Sequence, residues 1–135
     1  MALYNRAISI EQDADESWSF GYATADPSGN PKLAVPFNFT GAVALFTARE
    51  SPDPTSTILY SVNSTAQAPV VPITFGTLVT SSGINVATIN WSIPNSVSVT
   101  LPSGEWYYDL FVTQGGVQTV YASGVFSVVA TAGRP

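Results

Sequence analysis

Apolar and polar side chains alternate at every second position along most of this chain, and no other feature constrains the fold as strongly. The stretch SWSFGYATAD, residues 17–26, places Trp18, Phe20 and Tyr22 on one side of an extended chain, with small residues between them. Successive side chains of a β-strand point to opposite faces, whereas a helix requires a repeat of about 3.6 residues. Helical periodicity is almost absent, so the pattern predicts an all-β protein.

Turn-forming residues interrupt the alternation at intervals of about 8–12 residues, the spacing typical of sandwiches and barrels. The breaks DPSGNP, ESPDPTS, SSG and QGG contain Pro or Gly, which set turn geometry or cannot donate to a strand ladder. The strand-like segments are residues 17–26, 42–49, 57–62, 73–80, 84–93, 97–101, 105–113 and 117–129. Residues 42–50 also fit a helix, but two β-branched residues and a preceding Gly favour a strand.

These segments predict about eight to ten strands in one domain, since the chain contains no repeat or linker. The domain is expected to span residues 16–130. Residues 1–15 precede it as a strand or an arm, and residues 131–135 follow it as a polar tail.

The composition disfavours several classes of function. The chain contains no Cys and no His, which rules out disulfides, thiolate chemistry, a Ser-His-Asp triad and His-ligated zinc. A net charge of −5, with only four basic residues scattered along the sequence, disfavours nucleic-acid binding. No apolar run approaches the ~20 residues of a membrane-spanning helix, and the N-terminus lacks a signal-peptide pattern. We therefore expect no cofactor, no nucleic-acid partner and no membrane association.

Asp109 is the only acid among the apolar residues of the terminal segment WYYDLFV, and two roles are open to it. A catalytic carboxylate in a hydrolase needs a second carboxylate nearby. Glu105 is four residues away on the same strand face, at about 13 Å for ~3.3 Å per residue, which is too far. The sequence therefore favours a structural Asp109 that accepts hydrogen bonds, with Arg49 as the predicted partner. On that basis, replacement of Asp109 by Asn is expected to reduce stability.

Glu11, Asp13, Asp15 and Glu16 form the only cluster of charges in the sequence. Their D-x-D spacing could supply oxygen ligands to Ca²⁺, but a calcium loop also has a Gly turn and a later bidentate Glu. Neither occurs here at a recognisable spacing. The cluster is instead predicted to be a solvated acidic turn between two strands, whose charges keep other chains from pairing with an edge.

The aromatic residues also allow two interpretations. Rings on a flat sheet can bind sugars, and the candidates for such an interaction are Trp18, Trp91, Trp106 and Tyr121. Most aromatic residues occupy alternating strand positions beside apolar neighbours, where core packing is the usual role. Core packing is favoured, and a carbohydrate-binding module acting in attachment to a host surface is the alternative.

Three segments, VPFNFTGAVALFTAR, SSGINVATINWSIP and LPSGEWYYDLFVTQGGVQTVYASGVFSV, together resemble small structural domains of tailed bacteriophages. The resemblance covers about residues 16–129. Within this group of domains, the chain is similar to the N-terminal domain of baseplate upper proteins. The matching positions are Asp26, Gly29, Pro31, Phe39-Thr40-Gly41, Arg49, Gly83-Ile84, Leu101, Gly104, Tyr108-Asp109-Leu110, Gly124-Val125 and Ser127-Val128. Asn38 stands where these domains have an acid, and Trp106 stands where Tyr is usual.

The resemblance implies an immunoglobulin-like antiparallel β-sandwich that docks on a virion and catalyses no reaction. It further implies partners among the tail, baseplate or capsid proteins, and a homo-oligomer or several copies on each particle. The implied location is the virion, after synthesis in the host cytoplasm. Docking would bury apolar and hydroxyl-rich surface against those partners.

Overall fold

The structure is a computed structural model, and it describes residues 4–24, 27–30, 33–65 and 71–130. The predicted polar tail at 131–135 and two of the matching positions, Asp26 and Pro31, lie outside the described residues. The described part of the chain forms ten strands and one short helix, so the prediction of an all-β protein is confirmed.

The strands fall into two sheets. The bounds are β1 Tyr4–Asn5, β2 Ile8–Glu11, β3 Glu16–Thr24, β4 Val35–Pro36, β5 Val43–Arg49, β6 Ile58–Asn63, β7 Thr74–Val79, β8 Asn85–Ile93, β9 Gly104–Gln114 and β10 Val117–Val129, with α1 at Asn95–Ser98. The large sheet has the order β1-β10-β9-β5-β6, and β2 also pairs with β10. The small sheet has the order β4-β3-β8-β7. Residues 43–49, from the segment 42–50 that also fitted a helix, form β5.

The pairing is antiparallel except at the N-terminus. There β1 and β2 both run parallel to β10, with Tyr4 opposite Ala122 and Ile8 opposite Phe126. Ile8 and Ile10 are buried while Ser9 is exposed, so the alternation in this segment directs its apolar face into the core. The first described residues are therefore strands laid along the edge of the large sheet.

The inward faces of the two sheets share one core. Phe46 of β5 stacks on Trp91 of β8 with ring centroids 4.2 Å apart, and Tyr108 of β9 stacks on the same phenyl ring at 5.2 Å. All three side chains are almost completely buried. Because Phe46 and Trp91 belong to different sheets, the central stack links the two layers directly.

The segment VSVTL, residues 97–101, does not form a strand. The amides of Val97 and Ser98 both donate to the Pro94 carbonyl, which begins the helix α1. The buried Ser98 hydroxyl donates to the Ala14 carbonyl at 2.8 Å and accepts from the Ala14 amide at 3.1 Å. These local and long-range hydrogen bonds outweigh the β-propensity of the valines.

Candidate docking surface

Seven of the eight acids that the structure describes are gathered at one end of the two sheets. The described acids of this end are Glu11, Asp13, Asp15, Glu16, Glu50, Asp53 and Glu105. Strand direction brings them together, since Glu11 ends β2, Glu16 begins β3, Glu50 follows β5 and Glu105 lies at the start of β9. We call this group the acidic end. The one further acid that the structure describes, Asp109, lies midway along β9.

The described residues at the opposite end of the sheets are uncharged, and several of them are large and apolar. This end contains the connections from β3 to β4, β4 to β5, β7 to β8 and β9 to β10. Exposed large apolar side chains collect there, each with 48 to 65% of its surface exposed: Leu33, Val35, Val43, Leu78, Val79 and Val117. We call these six residues the apolar end. The acidic and apolar surfaces are therefore separated by the full length of the strands.

The charge distribution along the chain produces this separation. Residues 54–104 contain no charged residue, and they supply β6, β7, β8 and α1. In the small sheet, Glu16 at the start of β3 is the only charged residue in a strand. A neutral sheet can be brought against another surface without desolvating a charge, which is the costly step in burying a polar interface.

A cluster of aromatic rings lies beneath the apolar end. Tyr22, Tyr121 and Phe37 form one part, with the rings of Tyr22 and Tyr121 5.0 Å apart and those of Phe37 and Tyr121 6.1 Å apart. Phe39 joins it to Phe75 of β7 at 5.0 Å. Tyr22 is buried and the other rings are half-buried. Loop residues 37–40, part of β7 and Ala87 also border an open hollow of about 360 Å³.

The loop that carries two of these rings is held by short-range bonds. The Thr40 amide donates to Asn38 Oδ1 at 3.0 Å, and Gly41 follows with φ of +75°. From the end of β9, Gln114 Nε2 donates to the carbonyls of Asn38 and Thr40 at 2.7 and 3.0 Å. A carboxylate would accept the same bond from Thr40, so Asn38 forms a turn of the kind that an acid at this position would also form.

The four candidate aromatic residues do not form a single group. Trp91 is 1% exposed and its ring faces are covered, in agreement with the core interpretation. Trp18 is half-buried and tilts against Trp91 at 4.9 Å. Trp106 is half-buried against the core, and only Tyr121 belongs to the cluster at the apolar end.

Sequence reasoning missed the phenylalanines that complete this cluster. Its candidates for ligand-binding rings were tryptophans and tyrosines, and none of them was a phenylalanine. The available signal was PFNFTG, in which Phe37 and Phe39 flank Asn38 immediately before a glycine turn. Two aromatic residues in a loop, rather than in a strand, are less easily explained by core packing.

Asp109 lies on the outward face of the large sheet, opposite Thr47 of β5. Arg49 is opposite Tyr107 on the same face, but its guanidinium donates to the Ser56 carbonyl at 2.7 Å. Among the described residues, none hydrogen-bonds to the Asp109 carboxylate. Burial raises the pKa of Asp109, and the positive charge of Arg49 partly opposes that increase. The two side chains are thus coupled through space, without a direct bond.

A hollow of about 310 Å³ beside Asp109 is bordered by Asn5, Tyr107 and Ser123. No second acid borders it among the residues that the structure describes. The same part of the chain contains no group of three or more acids that could hold a metal ion. Asp109 is therefore the only acid among the described residues that border this hollow.

The acidic cluster occupies the turn between β2 and β3, as the sequence predicts. Glu11, Asp13 and Asp15 are exposed and Glu16 is half-buried. Two of the carboxylates accept backbone bonds, Glu16 from the Glu11 amide at 3.0 Å and Asp15 from the Asn95 amide at 2.7 Å. These bonds shape the turn and join it to α1.

Comparison with known proteins leaves the family open, because no protein-family model matches the sequence and no curated protein matches it. In the described residues, no helix has the length and apolar character needed to cross a membrane.

Proposed function

We propose that this chain is a non-enzymatic structural protein of a tailed-bacteriophage virion. In this proposal it is an immunoglobulin-like β-sandwich that docks on the tail, baseplate or capsid through the apolar end. The sequence resemblance supports the class of protein. Two antiparallel-rich sheets that share one core are compatible with a sandwich. The observation that carries the docking role is the position of six of the nine exposed large apolar side chains of the described residues, which lie at the end opposite the acidic end.

The mechanism is burial of neutral surface. The six side chains of the apolar end are about half exposed or more, and each stabilises a complex when a partner covers it, at roughly 25 cal/mol per Å². A single contact of this kind is weak, but many copies on a symmetric particle bind together with much higher avidity. In this orientation the acidic end faces away from the particle, so docking does not desolvate its carboxylates.

The test is fractionation of purified particles from a phage that encodes this chain. Val117→Glu places a charge in the apolar end, while Ile58→Glu is a matched control, because Ile58 is also about half exposed but begins β6 beside the acidic end. We expect Val117→Glu to reduce the copies per virion at least about tenfold, equivalent to ~1.4 kcal/mol of binding, and Ile58→Glu to leave them unchanged. Absence of the unsubstituted chain from intact virions would refute the virion role. Equal incorporation of both variants would refute docking through the apolar end.

A carbohydrate-binding module is the second candidate, and the aromatic cluster favours it. Phe39 and Phe75 border a hollow of about 360 Å³ together with the polar residues Asn38 and Thr40. Half-buried rings beside hydrogen-bonding groups can stack on the apolar face of a sugar. A glycan array separates the candidates: a signal that Phe75→Ala abolishes supports sugar binding, and no signal on any glycan counts against it.

A further inference from the structure

The sheet edges of this protein are unequally protected. Natural edges are blunted by shortness, proline, charge, bulges or covering segments. The strand β4 has two residues and ends in Pro36. In the large sheet, one edge consists of β1 and β2, two short strands with Arg6 between them. At β6, a bulge lies opposite Ala48 and Arg49, and the Asn63 carbonyl already accepts from the Ile73 amide at 3.1 Å. Among the residues that the structure describes, none of these devices protects β7.

The strand β7 is six residues long, TFGTLV, and contains neither a charge nor a proline. It pairs with β8 on one side and forms the end of the small sheet on the other. Its last two side chains, Leu78 and Val79, are 53 and 62% exposed. Along its whole length, β7 is therefore an edge suited to pair with another strand.

The ladder shows which backbone groups of β7 are open. The Thr80 amide donates to the Ile84 carbonyl at 2.9 Å, and Val79 is opposite Asn85. Hydrogen-bonded pairs recur at every second residue of an antiparallel ladder. The amides and carbonyls that face β8 are consequently those of Thr74, Gly76 and Leu78. The amides and carbonyls that face outward belong to Phe75, Thr77 and Val79, and no described residue bonds to them. The Ile73 amide agrees with this alternation, because it points away from β8 to Asn63.

We infer that β7 is a self-association site, at which two copies of this chain pair their β7 strands antiparallel about a two-fold axis at Thr77. This register places Thr77 opposite its own copy and Phe75 opposite Val79. All three outward-facing residues then bond to outward-facing residues, with about six hydrogen bonds between the chains. An axis at Gly76 would instead place Val79 opposite Ile73, whose amide is already bound to Asn63.

The side chains fit the same register. Phe75 and Val79 point to the same face, so each copy contributes an aromatic ring opposite a β-branched residue, a favourable cross-strand pair. On the other face Leu78 lies opposite Gly76, which has no side chain to obstruct it. The pairing thus covers both of the exposed apolar residues of β7. Leu33, Val35, Val43 and Val117 are left exposed for docking.

The charge distribution favours a second copy as the occupant. A chain of net charge −5 repels its own copies unless their acids are far apart. Antiparallel β7 strands point the two acidic ends in opposite directions, and no charged residue lies between 54 and 104. The contact is isologous, so it closes as a dimer rather than growing into a fibre. This inference holds whether or not the chain is a virion protein.

The test is sedimentation velocity of the full chain over a range of concentrations. Thr77→Pro removes an outward-facing amide that the monomer does not use, and an edge strand tolerates proline at such a position. Val79→Lys adds a charge to the same edge, and Val117→Lys is the matched control, because Val117 is exposed to a similar extent but lies outside β7. We expect a dimer for the unsubstituted chain and for Val117→Lys. The dissociation constant of the dimer should be at least tenfold higher for Val79→Lys and for Thr77→Pro.

Amide exchange on the unsubstituted chain tests the register. Because the Thr77 and Val79 amides face the partner, their exchange should slow as concentration rises. The Thr113 amide, on β9 of the other sheet, should show no such dependence. A monomer at every concentration would overturn the inference. So would a dimer that Val79→Lys leaves intact, or one in which the Thr77 amide exchanges at the same rate at all concentrations.

Discussion

The Gly124→Ala substitution tests how the N-terminal segment is attached to the large sheet. Gly124 lies in β10 at the point where the chain passes from β1 to β2, with φ of +155°. A Cβ atom on this residue would lie 2.5 Å from the Arg6 carbonyl oxygen and 2.9 Å from the carbonyl carbon. Ordinary contacts begin at 3.4 Å, so the Arg6 backbone would have to move by about 0.9 Å. Only glycine permits this close approach.

The Arg6 backbone cannot move without losing two hydrogen bonds. Its amide donates to the Ser123 carbonyl at 2.9 Å, and its carbonyl accepts from the Tyr108 hydroxyl at 2.6 Å. Each bond contributes about 1 kcal/mol, and the buried Tyr108 hydroxyl costs about 1–3 kcal/mol if left without a partner. Alanine at positive φ adds about 1 kcal/mol of strain. We therefore expect Gly124→Ala to lower the free energy of unfolding by about 3 kcal/mol, a large part of the 5–15 kcal/mol typical of a domain.

Urea unfolding followed by tryptophan fluorescence measures this loss. Gly29→Ala is the matched control, because Gly29 also has positive φ, +80°, but nothing lies within 4 Å of its added Cβ. It should cost only the strain, about 1 kcal/mol. Tyr108→Phe removes the hydroxyl whose bond Gly124→Ala disrupts, so the two substitutions should cost less together than the sum of their separate effects. Strict additivity, or equal losses at Gly124 and Gly29, would refute the reasoning.

Three further outcomes follow from contacts elsewhere in the fold. Burial raises the pKa of Asp109 in the folded state, so the ionised carboxylate destabilises the fold above that pKa. This destabilisation disappears as the pH falls below the ordinary pKa of an aspartate. Asp109→Asn should therefore raise the urea midpoint at pH 7 but leave it unchanged near pH 3, and a lower midpoint at pH 7 would contradict this sign. Ser98→Ala removes both bonds to Ala14 and should cost about 1–3 kcal/mol in thermal unfolding; no change would mean that these bonds do not hold α1 in place. Phe46→Ala should cost about 3–5 kcal/mol in urea unfolding because it empties the space between the sheets, while Phe111→Ala, on the half-buried outward face, should cost less; similar losses would argue against a shared core.

The strands of the C-terminal half could be predicted closely from the sequence. The segment predicted as a strand at residues 117–129 coincides with β10, and that at 105–113 differs from β9 by one residue at each end. Strict alternation sets the strands, and Gly115 and Gly116, both at positive φ, set the turn between them. The segment 97–101 was predicted wrongly because its valines suggest a strand. The bonds that form α1 instead depend on Ala14, more than 80 residues away.

The site was less predictable, because it depends on strand direction. The sequence shows acids at 11–16, 50–53 and 105, but only the topology reveals that these positions meet at one end. The pairing of Asp109 with Arg49 was predicted from residue type. The register does place both on one face, but the short β5–β6 loop offers Arg49 a backbone carbonyl that its sequence position does not reveal. Asp109→Asn is therefore expected to raise stability rather than reduce it, because no described residue hydrogen-bonds to the carboxylate.

The parallel strands β1 and β2 and the edge at β7 both bear on the proposed pairing between copies. The thirteen-residue strand β10 would be the longest open edge of the protein, but the chain covers it with β1 and β2, which are fixed there through Arg6, Ser123 and Tyr108. The edge at β7 has no such cover. A molecule with two long open edges would add copies indefinitely, whereas a molecule with one can form only a closed pair. The parallel N-terminal strands therefore do more than extend the large sheet, because by covering β10 they remove its longest edge and leave β7 available for the pairing between copies that we propose.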